Sequence, residues 1–367
     1  MKKPQRRDPD FALILAILLL LSMGLIMVFS ASYVIAGESR GDPYYFLRRQ
    51  ALWVGLGLAG MFILSRFPYW RYRRLSLFVL LANFVLLTLV FTPLGTDLGT
   101  DARRWLSIGG LTVQPAEFSK LAFILFTAAY LSSRSVRLEN FWSSSFIPLV
   151  LVGINFIFVA AQPDVGTALV LVAGTMVIIL LAGMPIKHLA ALVLLALPPL
   201  LAIIFKAEYR IRRLMAFLDP WADPSGTGYQ IIQSLLALGP GHLFGVGLGR
   251  SRQKLYYLPE PQNDFIFAVI GEELGFVGAA AVLLLFFVLI WRGLKIAMAA
   301  PDTFGSLLAA GITAMIAIQA LTNIAVVTGS IPVTGITLPL ISAGGSSVFI
   351  TLCSLGVLLN ISRYAQK

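Results

Sequence analysis

The chain has 367 residues, of which 58% are hydrophobic and 12% charged, with a formal net charge of +11 at pH 7 and a mean hydropathy of +0.86. A soluble domain of this size carries about twice that share of charge, which excludes a water-soluble globular enzyme. The single cysteine, Cys353, excludes an intrachain disulfide.

Apolar stretches lie near 11–32, 47–65, 75–93, 116–132, 146–161, 167–184, 187–206, 265–291, 304–327 and 345–361. Each approaches the roughly 20 residues that cross a bilayer at about 1.5 Å per residue. They predict an all-α polytopic membrane protein of about ten transmembrane helices, read as a single domain over 1–367. The first stretch is too long for a signal-peptide core and lacks a small-residue cleavage site, so it is expected to be retained.

Orientation follows from short basic connections. Lys2, Lys3, Arg6 and Arg7 sit in a tail over 1–10, followed by Arg66, Arg71, Arg73 and Arg74. Arg134 and Arg137, Lys187, Arg292 and Lys295, then Arg363 and Lys367 continue the alternation. All fall on one side, which predicts cytoplasmic termini. The outer connections are then 33–46, 92–115, 162–166, 207–263 and 328–344. The large loop 207–263, between helices 7 and 8, holds Arg210, Arg212, Arg213, Arg250, Arg252 and Lys254. Long loops cross regardless of charge. These cations either pair with Glu208, Asp219, Asp223 and Glu260, or meet lipid phosphates, or hold an anionic substrate outside.

Ionisable residues at membrane depth are costly and mark candidate sites. Arg48 and Arg49 open the second stretch. Glu117 and Lys120 begin the fourth, three residues apart on one helical face, as a structural pair or as part of a site. Asp164, in the tight connection 162-QPDVGT-167, serves as an N-cap or faces a cavity. Asp264 starts the eighth stretch, where a helix N-terminus favours negative charge. Ala268, Gly271, Gly275 and Gly278 share its face and invite another helix to approach closely. Glu272 and Glu273 lie roughly 12 Å further along and require polar partners inside the bundle.

The glycines of 239-GPGHLFGVGLGRS-251 lack the lysine and the strand–turn–helix setting of a phosphate loop. They read as a flexible loop on the membrane surface. The apolar stretch 331-IPVTGITLPLISAGGSS-347 is interrupted by Pro332, Gly335, Pro339, Gly344 and Gly345. It reads as a re-entrant segment bordering an outer cavity. His188 and His242 fall on opposite sides and share no metal site.

With these residues in place, the chain resembles the SEDS family (shape, elongation, division and sporulation) of membrane peptidoglycan glycosyltransferases. The resemblance runs nearly end to end through FSAS at 29–32, YFLRRQ at 45–50, RWLSIGGLTVQPAEFSK at 104–120, AQPDVGT at 161–167, LPEPQNDFIFAVIGEELGF at 258–276 and PVTGITLPLISAGGSS at 332–347. The wording of the last two blocks is closer to the division and sporulation branch than to rod elongation. Two positions depart from the family pattern: Asn263 stands where threonine is usual, and Ala343 where tyrosine is usual.

The resemblance implies polymerisation of lipid II, an undecaprenyl-diphosphate-linked disaccharide-pentapeptide, on the outer face of the bacterial cytoplasmic membrane. It implies a class B penicillin-binding transpeptidase as partner. The family's catalytic aspartate falls on Asp264, and its cavity residues on Arg49, Trp105, Glu117, Lys120 and Asp164. An α-linked diphosphate becoming a β-1,4 bond inverts the anomeric carbon, so one displacement with one carboxylate base suffices. Arg49 and Lys120 are the expected diphosphate ligands. Trp105 lies against a sugar face or belongs to the interfacial aromatic belt. A magnesium or manganese ion at the diphosphate is compatible with this chemistry. The competing expectations are a flippase or transporter of lipid-linked cell-wall precursor and a non-enzymatic scaffold for the transpeptidase.

Overall fold

The structure, a computed structural model, describes residues 7–97, 102–133, 145–206, 208–255 and 257–365. Lys2, Lys3, Arg6, Arg134, Arg137 and Lys367 lie outside the described residues. Helix α1 (Phe11–Arg40) starts at Asp10, whose side chain accepts from the Leu13 amide at 2.9 Å, and stops at Gly41 with φ 66°. There follow α2 (Tyr45–Arg66), α3 (Trp70–Leu89), α4 (Pro115–Leu131), α5 (Phe146–Ala160), α6 (Val165–Leu181) and α7 (Ile186–Lys206). The large loop carries α8 (Glu208–Leu218) and α9 (Tyr229–Leu238). The chain then forms α10 (Ile266–Met298), α11 (Thr303–Val327) and α12 (Gly345–Ser362). Each apolar stretch lies on one of these helices. Five of them, α1, α3, α10, α11 and α12, are long and apolar enough to cross a membrane by length and composition.

The outer connection after α3 is not a plain loop. It forms a small antiparallel sheet in the order β1 (Gly95–Thr96), β2 (Trp105–Ile108), β3 (Leu111–Val113). Gly109 and Gly110 turn β2 into β3 with φ 57° and 80°, the backbone that a two-residue hairpin needs. This sheet delivers Trp105 and Gln114 toward the centre of the molecule.

Helix α12 is buried along nearly its whole length and packs on α2 through small residues. Gly57 faces Leu352, Gly60 faces the Cys353 sulfur, and Gly356 faces the Met61 backbone. Such close approach suits helices that associate without water to expel. Phe62, Ile63, Phe78, Leu284 and Phe287 point outward, as lipid-facing side chains do.

The partners of Glu272 and Glu273 come from the large loop. The glycine-rich stretch 239–251 is not laid flexibly on the surface; it packs against a break in α10. Gly275 adopts φ 66°, ψ −163° there, and its freed neighbours bond to the loop. Phe276 donates to the His242 carbonyl at 2.8 Å, and Val246 and Gly247 donate to the Glu272 and Glu273 carbonyls at 2.9 and 3.1 Å. Thus the small-residue face of α10 admits loop backbone, and not only a helix. Both carboxylates are then satisfied. Glu272 accepts from the Ser251 hydroxyl and the Arg252 amide, at 2.5 and 2.8 Å. Glu273 accepts from the Gly249 amide, the Ser30 hydroxyl and the Lys254 ammonium, the last at 2.7 Å. Lys254 and Glu273 are fully buried. The network fastens the loop to α1 and α10 just before the chain reaches Asp264.

Candidate active site

The segment 328–344 between α11 and α12 is largely non-helical, as its prolines and glycines require, and it forms one wall of a cavity of about 390 Å³. Asp264 lines it together with Gly335, Thr337 and Gly344 of this segment and with Arg104, Trp105, Gln114, Glu117 and Asp164 from other elements. Asn323 on α11 holds this arrangement together. Its amide donates to the backbone carbonyls of Asp264 and Ile336, both at 2.7 Å. Ser342 donates to the Asn263 carbonyl at 2.6 Å, and Ala343 to the Gln262 carbonyl at 2.8 Å. The aspartate is therefore fixed by its backbone, while its carboxylate accepts no hydrogen bond among the described residues. Nor is it the helix cap, a position that falls to Phe265. Gly335, at φ 73°, leaves room beside Asp264, since a Cβ there would come within 3.6 Å of the carboxylate.

Burial is the first cause that pushes the Asp264 carboxyl up, to about 6. The charges of Glu260 and Asp164 add to it, and Arg213 and Arg104 oppose it. Glu260 lines the same cavity, and burial raises its carboxyl as well. It accepts from Asn263 at 2.7 Å and from Gln262 at 3.1 Å. Asp164 has both expected characters. One oxygen caps α6 by accepting from the Thr167 amide at 3.1 Å, the other accepts from Gln114 at 2.8 Å, and the residue faces the cavity. Burial raises its carboxyl too, and Arg104 is the chief opposing charge.

The predicted site residues separate into two groups. Asp264, Trp105, Glu117 and Asp164 share the cavity. Arg49 and Lys120, the expected diphosphate ligands, are not among its lining residues. Arg49 donates to the Tyr45 hydroxyl at 3.1 Å and to Thr112 of β3, bracing the wall from behind. Lys120 is buried, with its ammonium taken up by both Glu117 oxygens at 2.8 and 2.9 Å and by Gln319 at 2.7 Å. Gln319 in turn donates to the Thr337 carbonyl at 3.0 Å, so this network ties α4 and α11 to the non-helical wall. Among the described residues, the cation that lines the cavity is Arg104, anchored on the Gln162 and Pro163 carbonyls at 3.0 and 2.8 Å. Sequence alone assigns Arg104 and Gln114 no role, and Glu260 only that of an ion-pair partner for the loop cations. A signal existed for Arg104 in its place beside Trp105 in an outer connection.

Among the described residues, no three histidine, cysteine, aspartate or glutamate side chains converge as metal ligands. The acidic lining does not fit a protein-built cage for a divalent ion.

The family model for the cell cycle proteins FtsW, RodA and SpoVE matches residues 11–367. The chain belongs to this family. It is 48% identical to stage V sporulation protein E of Bacillus subtilis (strain 168) over 363 residues, covering 99% of both chains. It is 41% identical over 353 residues to a probable peptidoglycan glycosyltransferase FtsW of Geobacter sp. (strain M18), covering 96% of each. Among solved structures, it is similar to a chain of a peptidoglycan synthase complex described as coordinating polymerization and crosslinking, with TM-score 0.79 and 32% identity over 97% of this chain and 98% of that one. The rod shape determining protein RodA of Thermus thermophilus matches with TM-score 0.72 and 29% identity over 98% of both.

Proposed function

We infer that the chain is a peptidoglycan glycosyltransferase of the division or sporulation type, which polymerises lipid II into β-1,4 glycan strands with Asp264 as general base. The observation that carries this reading is a carboxylate held by its backbone, without a hydrogen-bond partner among the described residues and with a pKa raised to about 6, inside a cavity of about 390 Å³. A base of that strength is mostly ionised at neutral pH yet accepts a proton readily. The acceptor sugar's 4-hydroxyl gives its proton to Asp264 as its oxygen forms a bond to the donor's anomeric carbon. The bond from that carbon to the diphosphate oxygen breaks, and its electron pair leaves with the diphosphate. One displacement inverts the carbon.

The other lining groups suit binding. Asp164, Glu117 and Gln114 offer hydrogen-bond acceptors and donors for sugar hydroxyls and amides. Trp105 provides an apolar face for a sugar ring. Arg104 adds positive charge that opposes the accumulated carboxylates. Ala343, on the cavity lining, leaves the space that a tyrosine would fill in relatives of the usual pattern. We assign the cavity to the outer face of the bacterial cytoplasmic membrane, with both termini inside. We assign as partner a class B penicillin-binding transpeptidase, which would cross-link the strands. The relative found in a synthase complex supports that pairing.

The test is labelled lipid II given to the purified chain together with its transpeptidase in detergent. Wild-type protein makes glycan polymer, and Asp264→Asn lowers the rate by about 10²–10⁴-fold while eluting as the same folded species. Comparable polymer from the variant removes the base assignment.

A further inference from the structure

A second cavity, of about 470 Å³, is built from the large loop and the stretch after α11. Pro259 and Val333 line it, while their near neighbours Glu260 and Gly335 line the Asp264 cavity, so the same two stretches of chain contribute to both hollows. Their linings differ in charge. Among the described residues, four carboxylates, one of them (Glu117) already paired with Lys120, and a single guanidinium line the Asp264 cavity. The second is lined by Arg212 and Arg213 of α8 and by Ser225, Thr227 and Tyr229, with the Asp223 carboxylate at its edge accepting from the Thr227 amide and hydroxyl and acting on Arg212. Arg212 pairs with Glu208 at 2.6 Å on the exposed side, and Arg213 donates to the Val333 carbonyl at 3.4 Å. Arg213 also acts electrostatically on the Asp264 carboxyl, which places its charge within reach of the reacting centre.

The reaction has two substrates with opposite needs. The acceptor presents a hydroxyl, which carboxylates welcome. The donor presents a diphosphate, which gains negative charge as it leaves and is repelled by unpaired carboxylates. Inversion further requires base and leaving group on opposite sides of the anomeric carbon. We propose that the Arg212–Arg213 cavity holds the donor's diphosphate and that the acid-lined Asp264 cavity holds the acceptor sugar. This assignment rests on the glycosyltransferase reading. The proton goes from the 4-hydroxyl to Asp264, and the electron pair of the broken carbon–oxygen bond goes to a diphosphate oxygen facing the guanidiniums. Arginine forks suit that anion in geometry and charge.

The experiment is equilibrium binding of undecaprenyl diphosphate to the purified full chain in neutral detergent, repeated with phosphatidylglycerol added. Arg213→Ala weakens undecaprenyl diphosphate binding by about 10- to 100-fold, the effect of losing one charged hydrogen-bonding group. Arg213→Lys, which keeps the charge but not the fork, falls between. Asp264→Asn binds as tightly as wild type or more tightly, because a negative neighbour is gone. A melting curve matching wild type shows that Arg213→Ala is folded; if it is not, Arg213→Lys and Arg212→Ala carry the comparison. Unchanged diphosphate binding in the arginine variants overturns the proposal. So does loss of phosphatidylglycerol competition alone, which would make the arginines contacts for membrane headgroups. Failure of the glycosyltransferase reading would appear separately, as diphosphate binding without polymer from the wild type.

Discussion

At the scale of single residues, the side chain we assign as the base differs from its neighbours in how little holds it. Asp164 has both oxygens engaged and Glu117 is taken by Lys120, whereas Asp264 is pinned through its carbonyl by Asn323 and leaves its carboxylate to the cavity. Its proton affinity follows from burial first and from Glu260 second. The base must be ionised to act, so kcat/KM should rise as pH passes about 6 and then level off. Glu260→Gln removes a like charge, lowers the Asp264 pKa and moves that rise to lower pH. An unmoved profile in this variant contradicts the coupling. Asp264 was legible in sequence because it follows a basic loop and precedes a small-residue face. The destination of Lys120 was not. Its i,i+3 spacing from Glu117 shows the pair, but the third acceptor, Gln319, is 199 residues away, and only the fold shows the ammonium saturated behind the wall. Lys120→Met should leave Glu117 buried without its partner and cost about 3–5 kcal/mol of stability, read as a lower melting temperature. A folded variant of normal stability that instead fails to bind substrate would return Lys120 to the cavity.

At the scale of elements, apolar period and length were enough to locate the helices of the apolar stretches, because each must satisfy its own backbone in lipid, but not α8 and α9 within the large loop. Nor were they enough for the irregular pieces. The β2–β3 hairpin has a readable signal in Gly109-Gly110 between apolar residues, but hydropathy masks it. The docking of the glycine-rich loop was hidden because its partners are backbone groups of α10 exposed by the break at Gly275, a long-range arrangement with no local period. Glu272 and Glu273 did announce that polar partners must exist, without saying that they would come from residues 249–254. The loop tolerates little change at this contact. Gly245 has φ 79°, and an added Cβ would overlap the Glu273 carbonyl oxygen. Gly245→Ala should therefore destabilise the protein by at least about 2 kcal/mol, seen in thermal unfolding. Gly249→Ala, where positive φ remains but the space is open, should cost less. Equal effects at the two positions would show that backbone strain alone, and not the docking, sets the cost.

At the scale of the whole molecule, the large loop builds most of one cavity and contributes Glu260 to the other, and it is clamped to α10 by a buried ion pair and to α1 by a hydrogen bond from Lys254 to Ser30. The sidedness proposed for this arrangement is open to a labelling test because the natural cysteine is buried. In intact cells, Ser225→Cys should react with a membrane-impermeant thiol reagent, and Asp8→Cys should react only after the membrane is opened. The reverse pattern would put the site on the wrong side for extracellular polymerisation. The claim on which function turns is that Asp264 performs glycosyl transfer and does not gate passage of a lipid-linked precursor. Proteoliposomes containing lipid II, with the transpeptidase present, measure both outcomes in one vessel as glycan polymer and as movement of lipid II between leaflets. The glycosyltransferase reading predicts polymer from wild-type protein, essentially none from Asp264→Asn, and no protein-dependent movement of lipid II. Lipid II crossing between leaflets with no polymer formed, blocked by Asp264→Asn, would contradict it.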